Sequence, residues 1–132
     1  MLELFNLGIS EIEIKEILET NPDLKELSDE DIIQNIFILK QIGCTDSIIK
    51  HIIISNPFYL SRSNTDIINL IKKLISIGLK NLQIFFDSNP YFLNKDDFEI
   101  NDFIKEYSKK YTQEKIIDIL ESNPFIIEEY IS

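Results

Sequence analysis

The sequence predicts an all-α solenoid of about three and a half helical hairpins with a repeat of about 34 residues, and three observations predict it. All four prolines stand in one short phrase, Thr20-Asn21-Pro22, Ser55-Asn56-Pro57, Ser88-Asn89-Pro90 and Ser122-Asn123-Pro124, at steps of 35, 33 and 34 residues. All three glycines follow the same period, as Leu7-Gly8, Ile42-Gly43 and Ile77-Gly78. Apolar residues recur at helical spacing in the same register of every copy, which is the signature of stacked supersecondary units.

The first helix of each pair, helix A, is set by the positions seven, four and three residues before the corner asparagine. They are Ile14, Ile17 and Leu18, then Ile49, Ile52 and Ile53, then Leu82, Phe85 and Phe86, then Ile116, Ile119 and Leu120. Residues at i, i+3 and i+4 form one stripe of an α-helix. Proline disfavours αR geometry in the residue before it and cannot donate a hydrogen bond, so each helix A ends near its Asn, whose amide is expected to bond the exposed turn backbone. After the corner comes an apolar plug, Leu24, Phe58-Tyr59-Leu60, Tyr91-Phe92-Leu93 or Phe125-Ile126-Ile127, expected as a 3₁₀ turn between layers.

Helix B is predicted to start at Ser28, Ser63 and Asn94, each with an acid three residues on, Asp31, Asp66 and Asp97, in the pattern of a capping box. Its apolar set is Ile32, Ile33, Ile36, Leu39 and Ile42 in the first copy and Ile67, Ile68, Ile71, Leu74 and Ile77 in the second. The third is looser, with Ile100, Phe103, Ile104 and Tyr107. Gly43 and Gly78 then fall where a left-handed residue closes a helix without a Cβ penalty. The last copy has Tyr111 near that place. The approximate repeats are 4–38, 39–73, 74–107 and 108–132, one domain over residues 1–132, with four A helices and three B helices. The acids Asp29-Glu30-Asp31 and Asp96-Asp97 sit in first turns, where they meet the helix dipole favourably, and Glu128-Glu129 belongs to a frayed end.

Proline corner, apolar plug and Leu/Ile-Gly closure together resemble the mitochondrial transcription termination factor (mTERF) repeat, from Leu4-Phe5-Asn6-Leu7-Gly8 to Asn123-Pro124-Phe125-Ile126-Ile127. The residue pattern leaves the hand of the superhelix open. The resemblance implies a left-handed one and a family whose members mostly bind nucleic acid along a basic concave face.

Composition points elsewhere. The net charge is −10, whereas a duplex binder needs a basic groove to displace counterions from phosphates. Residues 1–44 hold 3 bases and 10 acids, residues 45–82 hold 5 bases and 2 acids, and residues 83–132 hold 5 bases and 11 acids, so only the middle is basic. The nucleic-acid candidates are therefore Lys72, Lys73, Lys105 and Lys109, with Lys50, His51 and Arg62 near them. A solvated helix face explains the same lysines. At the positions of Lys72 and Lys73 the first repeat has Phe37 and Ile38, and helix A of the second adds Ile54 off its stripe. These three are the candidates for a protein interface, for a basic amphipathic partner or a second copy, unless the N-terminal segment covers them. The main expectation is a non-catalytic, protein-binding module; the alternatives are an mTERF-like nucleic-acid binder and an acidic nucleic-acid mimic.

Catalysis is not expected. His51 has no Cys or His at i+3 or i+4, Cys44 has no partner at zinc spacing, and phosphate loops and nucleophile elbows are absent. No metal, cofactor or small-molecule substrate is expected. No stretch of the sequence reaches the length of a membrane span, the start lacks a signal-peptide pattern, and the single cysteine fits a reducing compartment, so a cytoplasmic protein is expected.

Overall fold

The computed structural model describes residues 2–127. Among the described residues eight α-helices of five residues or more and three 3₁₀ turns follow one another: α1 Leu2–Asn6, α2 Glu11–Thr20, α3 Asp29–Gln41, α4 Asp46–Ser55, α5 Asn64–Ile77, α6 Leu82–Ser88, α7 Asp97–Tyr107 and α8 Gln113–Ser122. The A helices are α2, α4, α6 and α8, and the B helices are α3, α5 and α7. Helix α1 ends in Leu7-Gly8 just as α3 and α5 end in Ile42-Gly43 and Ile77-Gly78, so it occupies a B position ahead of the first A helix. Helix α4 packs on α6, α3 on α5, and α5 on α7. One contiguous apolar cluster runs from Leu4 to Ile127.

The corners form as the Asn-Pro phrase requires. Helices α2, α4, α6 and α8 end with Asn21, Asn56, Asn89 and Asn123 as their C-terminal caps. Pro22, Pro57 and Pro90 each open a 3₁₀ turn, at Pro22–Glu26, Pro57–Ser61 and Pro90–Asn94, where the missing N–H is not needed. Pro124 stands in the fourth turn and is buried. The plug residues Leu24, Tyr59, Leu60, Phe92, Leu93 and Ile127 are at most 1% exposed, so each turn fills the space between hairpins. Gly8, Gly43 and Gly78 have φ of 88°, 100° and 111°. In each, the residue after the glycine bonds the carbonyl five residues back, Ile9 to Leu4, Cys44 to Leu39 and Leu79 to Leu74, closing a Schellman motif.

Four expectations change. The corner amides of Asn21 and Asn56 do not bond their own turns: they cross to the next hairpin. The third helix B starts at Asp97 with Asp96 as its cap, not at Asn94, because the amide of Asn94 is engaged with Asn56. The full capping box lies ahead of α2, where Ser10 and Glu13 bond each other's backbone reciprocally. At Ser28 the shorter Asp31 reaches only the cap hydroxyl. Finally, Ile33 and Ile68, read as core, are 43% and 38% exposed. The end Glu128-Glu129 lies outside the described residues.

Candidate functional site

The structure sorts the surface candidates by what they touch. Phe37 is 55% exposed on α3 and, with Ile33, lines a groove of about 190 Å³ completed by Glu3, Asn6, Leu7, Ile36, Lys40 and Asp46. Helix α1, the first B helix α3 and the start of α4 thus enclose an open, largely apolar depression. Ile38 is a correction: it is 8% exposed and part of the core. Helix B is flanked by neighbours on two sides, so its buried arc widens from Ile32, Ile36 and Leu39 to include Asn35 and Ile38 at its edge. Ile54 is 38% exposed on α4, in the A layer, and does not line the groove.

The six cation candidates also divide. Lys50 pairs with Glu13 across α4 and α2 at 3.7 Å, and Lys109 pairs with Glu106 at 3.1 Å. Arg62 is the most committed: its Nη1 meets Asp96 Oδ1 at 3.0 Å, its Nη2 donates to the Lys95 carbonyl at 2.7 Å, and its side chain is 15% exposed. It fastens the second hairpin to the third and is not free to meet phosphate. Lys72, Lys73 and Lys105 have no carboxylate within ion-pair distance among the described residues, and Lys72 and Lys105 are exposed. The basic stripe therefore reduces to these three. His51 stands 3.9 Å from Asp87, both side chains about half-exposed.

The sequence reading missed Asn35. It is 1% exposed, and its Nδ2 donates to the carbonyls of Tyr59, Leu60 and Arg62 at 3.3, 3.2 and 3.0 Å. Tyr59 Oη donates to the Asn35 carbonyl at 2.6 Å, and Asn64 Nδ2 donates to Asn35 Oδ1. A polar amide inside the buried arc of α3, where α5 has Leu70, was the available signal. The network orders the 3₁₀ turn of the second hairpin. Burial pushes the Tyr59 hydroxyl well above its usual range. Burial, with a smaller contribution from Asp87, raises the Cys44 thiol to about 11, so this cysteine is a packed small hydrophobe and a poor nucleophile.

Among the described residues no group of three His, Cys, Asp or Glu could hold a metal ion, and no helix is long and apolar enough to cross a membrane. No curated protein matches the chain. A family model described as mTERF matches residues 2–110, which takes in α1 through α7 with their proline corners and glycine closures. With more than four fifths of its length on that pattern, and with the pattern built as alternating A and B helices around 3₁₀ plugs, the chain belongs to the mTERF family of helical-repeat proteins.

Proposed function

We propose that this chain is a non-catalytic interaction module that binds a protein segment on the α1–α3 face, the partner being an apolar helix bordered by basic residues. The observation that carries the reading is a switch at one repeat position. The second and third hairpins place Lys72 and Lys105 there, and the first places Phe37, more than half exposed over an apolar groove. Covering the exposed part of that ring contributes about 1 kcal/mol before neighbouring contacts are added. The groove lies against α1 and α3, within residues 1–44, which hold 10 acids and 3 bases, and this favours basic flanks on the partner.

The test is fluorescence anisotropy with a labelled helical peptide carrying Leu at i, i+3, i+4 and i+7 and Lys elsewhere. A peptide of the same composition with its Leu scattered around the helix serves as control, because simple charge attraction treats both alike. Expected is saturable binding of the amphipathic peptide, at least about tenfold weaker in Phe37→Asp with helicity unchanged. Equal binding of both peptides, or of wild type and variant, overturns the reading.

One observation favours a second reading, nucleic-acid binding, which is typical of the family: among the described residues Lys72, Lys73 and Lys105 have no carboxylate within ion-pair distance. Neutralising three phosphates gives a shallow salt dependence, with log K falling by about 2.7 per decade of salt on duplex DNA. Titration of labelled duplex at low and moderate salt, with Lys72→Glu and Lys105→Glu as variants, separates the two readings.

A further inference from the structure

We infer that the segment received by the α3 face is supplied by a second copy of this chain, through its own helix α5; this rests on the protein-binding reading above and names its partner. Helix α5 has the required chemistry. Ile68 and Ile75 are 38% and 55% exposed, and Lys72 stands between them at i+4 and i−3 on the same side. That side is an apolar stripe with Lys72 in it and Lys73 at its border, and among the described residues no carboxylate lies within ion-pair distance of either lysine.

The complementary stripe is on α3, where Glu30, Ile33, Phe37 and Lys40 stand at i, i+3, i+7 and i+10 on one exposed side, with Lys40 already paired to Asp46 at 3.9 Å. Ile33 and Phe37 are the repeat equivalents of Ile68 and Lys72, and α3 packs directly against α5. The two stripes are therefore one continuous face of the B layer, acidic at the start of α3 and apolar along it, with the basic end of that stripe neutralised by Asp46, and basic and apolar on α5. A surface holding both halves of a complementary pair side by side can match itself about a two-fold axis. Laying α3 on the partner's α5 lays α5 on the partner's α3, and the contact closes at two copies.

Long-range charge selects the same arrangement. Each copy carries −10 overall, so most mutual orientations repel. The orientation that sets the base-rich residues 45–82 of one copy over the acid-rich residues 1–44 of the other reverses the sign where the surfaces meet. Ile33 and Phe37 then lose water against the apolar side of α5, and Lys72 and Lys73 gain the carboxylates at the start of α3.

Sedimentation velocity on the full chain, from about 1 to 300 µM at low salt, tests this. Expected is a monomer–dimer shift across the range. Lys72→Glu and Glu30→Lys each weaken the dimer by about tenfold or more, and the double variant, which restores opposite charges, recovers to within about threefold of wild type. Circular dichroism checks that each variant keeps its helicity. A wild type that is monomeric throughout overturns the inference, as does a double variant as weak as the two single effects combined. Growth beyond two copies overturns the closed two-fold arrangement. If the monomeric chain still binds the amphipathic peptide in a Phe37-dependent way, the protein-binding reading stands and self-recognition alone fails.

Discussion

At the first two joints the corner asparagine reaches forward into the next hairpin, and at the third it does not. Asn21 Nδ2 donates to the Pro57 carbonyl at 3.2 Å and to Ser61 Oγ at 2.8 Å. Asn56 Nδ2 donates to the Pro90 carbonyl and to Asn94 Oδ1, both at 3.0 Å, and Asn94 Nδ2 donates back to Asn56 Oδ1 at 3.1 Å. Asn89 turns instead to Phe85 of its own helix, at 3.0 Å. The fourth A helix is held by Gln113 Nε2 on the Ile77 carbonyl at 2.8 Å, and the turn after it by Phe125 on Phe92 at 6.3 Å between ring centres, with Phe92 itself 4.9 Å from Phe85 of α6. An amide that must meet a carbonyl and a side chain together fixes the register between hairpins, whereas ring contacts tolerate a range of angles. The same boundary is where Tyr111 stands near the place of a closing glycine and where the family match ends, at residue 110.

The largest way to break this contrast is Asn35→Leu, which keeps the branching of the side chain and removes the donor shared by three carbonyls of the second turn, leaving the Asn64 amide unmatched as well. Leaving buried polar groups without partners costs roughly 1–3 kcal/mol each, so a loss of about 3 kcal/mol is expected in urea denaturation. The transition should also broaden as the first hairpin uncouples from the rest. Next in size is the pair Asn56→Ala and Asn89→Ala. The first strips a fully buried ladder amide and should cost about 2 kcal/mol, while the second removes a local bond at a half-buried corner and should cost about 0.5 kcal/mol. Equal losses at the two corners would show that the forward bond is not what sets the register.

Most of the architecture was readable because its punctuation is local. Proline and glycine act through φ and a missing N–H within a residue or two of themselves, so the corners, the first three 3₁₀ plugs and the Schellman closures stand where the sequence puts them, while the fourth plug is a turn running into α-helix at 126–127. What the sequence did not show is what acts between hairpins. Asn21 and Asn56 carry local turn chemistry in their letters, yet their amides bond residues 34 to 40 positions away. Ile38 and Arg62 read as surface residues until the neighbouring hairpins are in place, and Ile33 and Ile68 read as core because an apolar residue beside a stripe looks like part of it. Of the site candidates, Phe37, Lys72 and Lys105 are exposed where the periodicity set them, since they lie opposite the buried arc of their helices.

The glycine closures extend the comparison at a smaller scale. A Cβ on Gly78 would stand 2.7 Å from Ile117 Cδ1 of α8, so Gly78→Ala must move that side chain as well as hold a left-handed alanine, and a loss of about 2 kcal/mol is expected. At Gly8 nothing lies within 4 Å of the added atom, so Gly8→Ala should lose about 1 kcal/mol from backbone strain alone. Thermal midpoints of the two variants measure the difference, which is the packing of the fourth A helix on the closure of the second helix B.

The smallest effect is a pH dependence confined to the first hairpin. The Ser10 backbone N–H and hydroxyl hold the Glu13 carboxyl below the ordinary 4.5, and Lys50 adds to this. Because the folded value lies below the unfolded one, the stabilisation is present above pH 4.5 and is lost as pH falls through the lowered value. The corresponding place three residues after Thr112, the cap of α8, is Lys115, so the last hairpin has no such carboxylate to titrate. The Ser10 amide resonance should therefore shift with an acid midpoint below 4.5, and Glu13→Gln should abolish the shift and leave α8 unchanged. The same shift persisting in Glu13→Gln would place the titrating group elsewhere and remove the reciprocal cap as its cause.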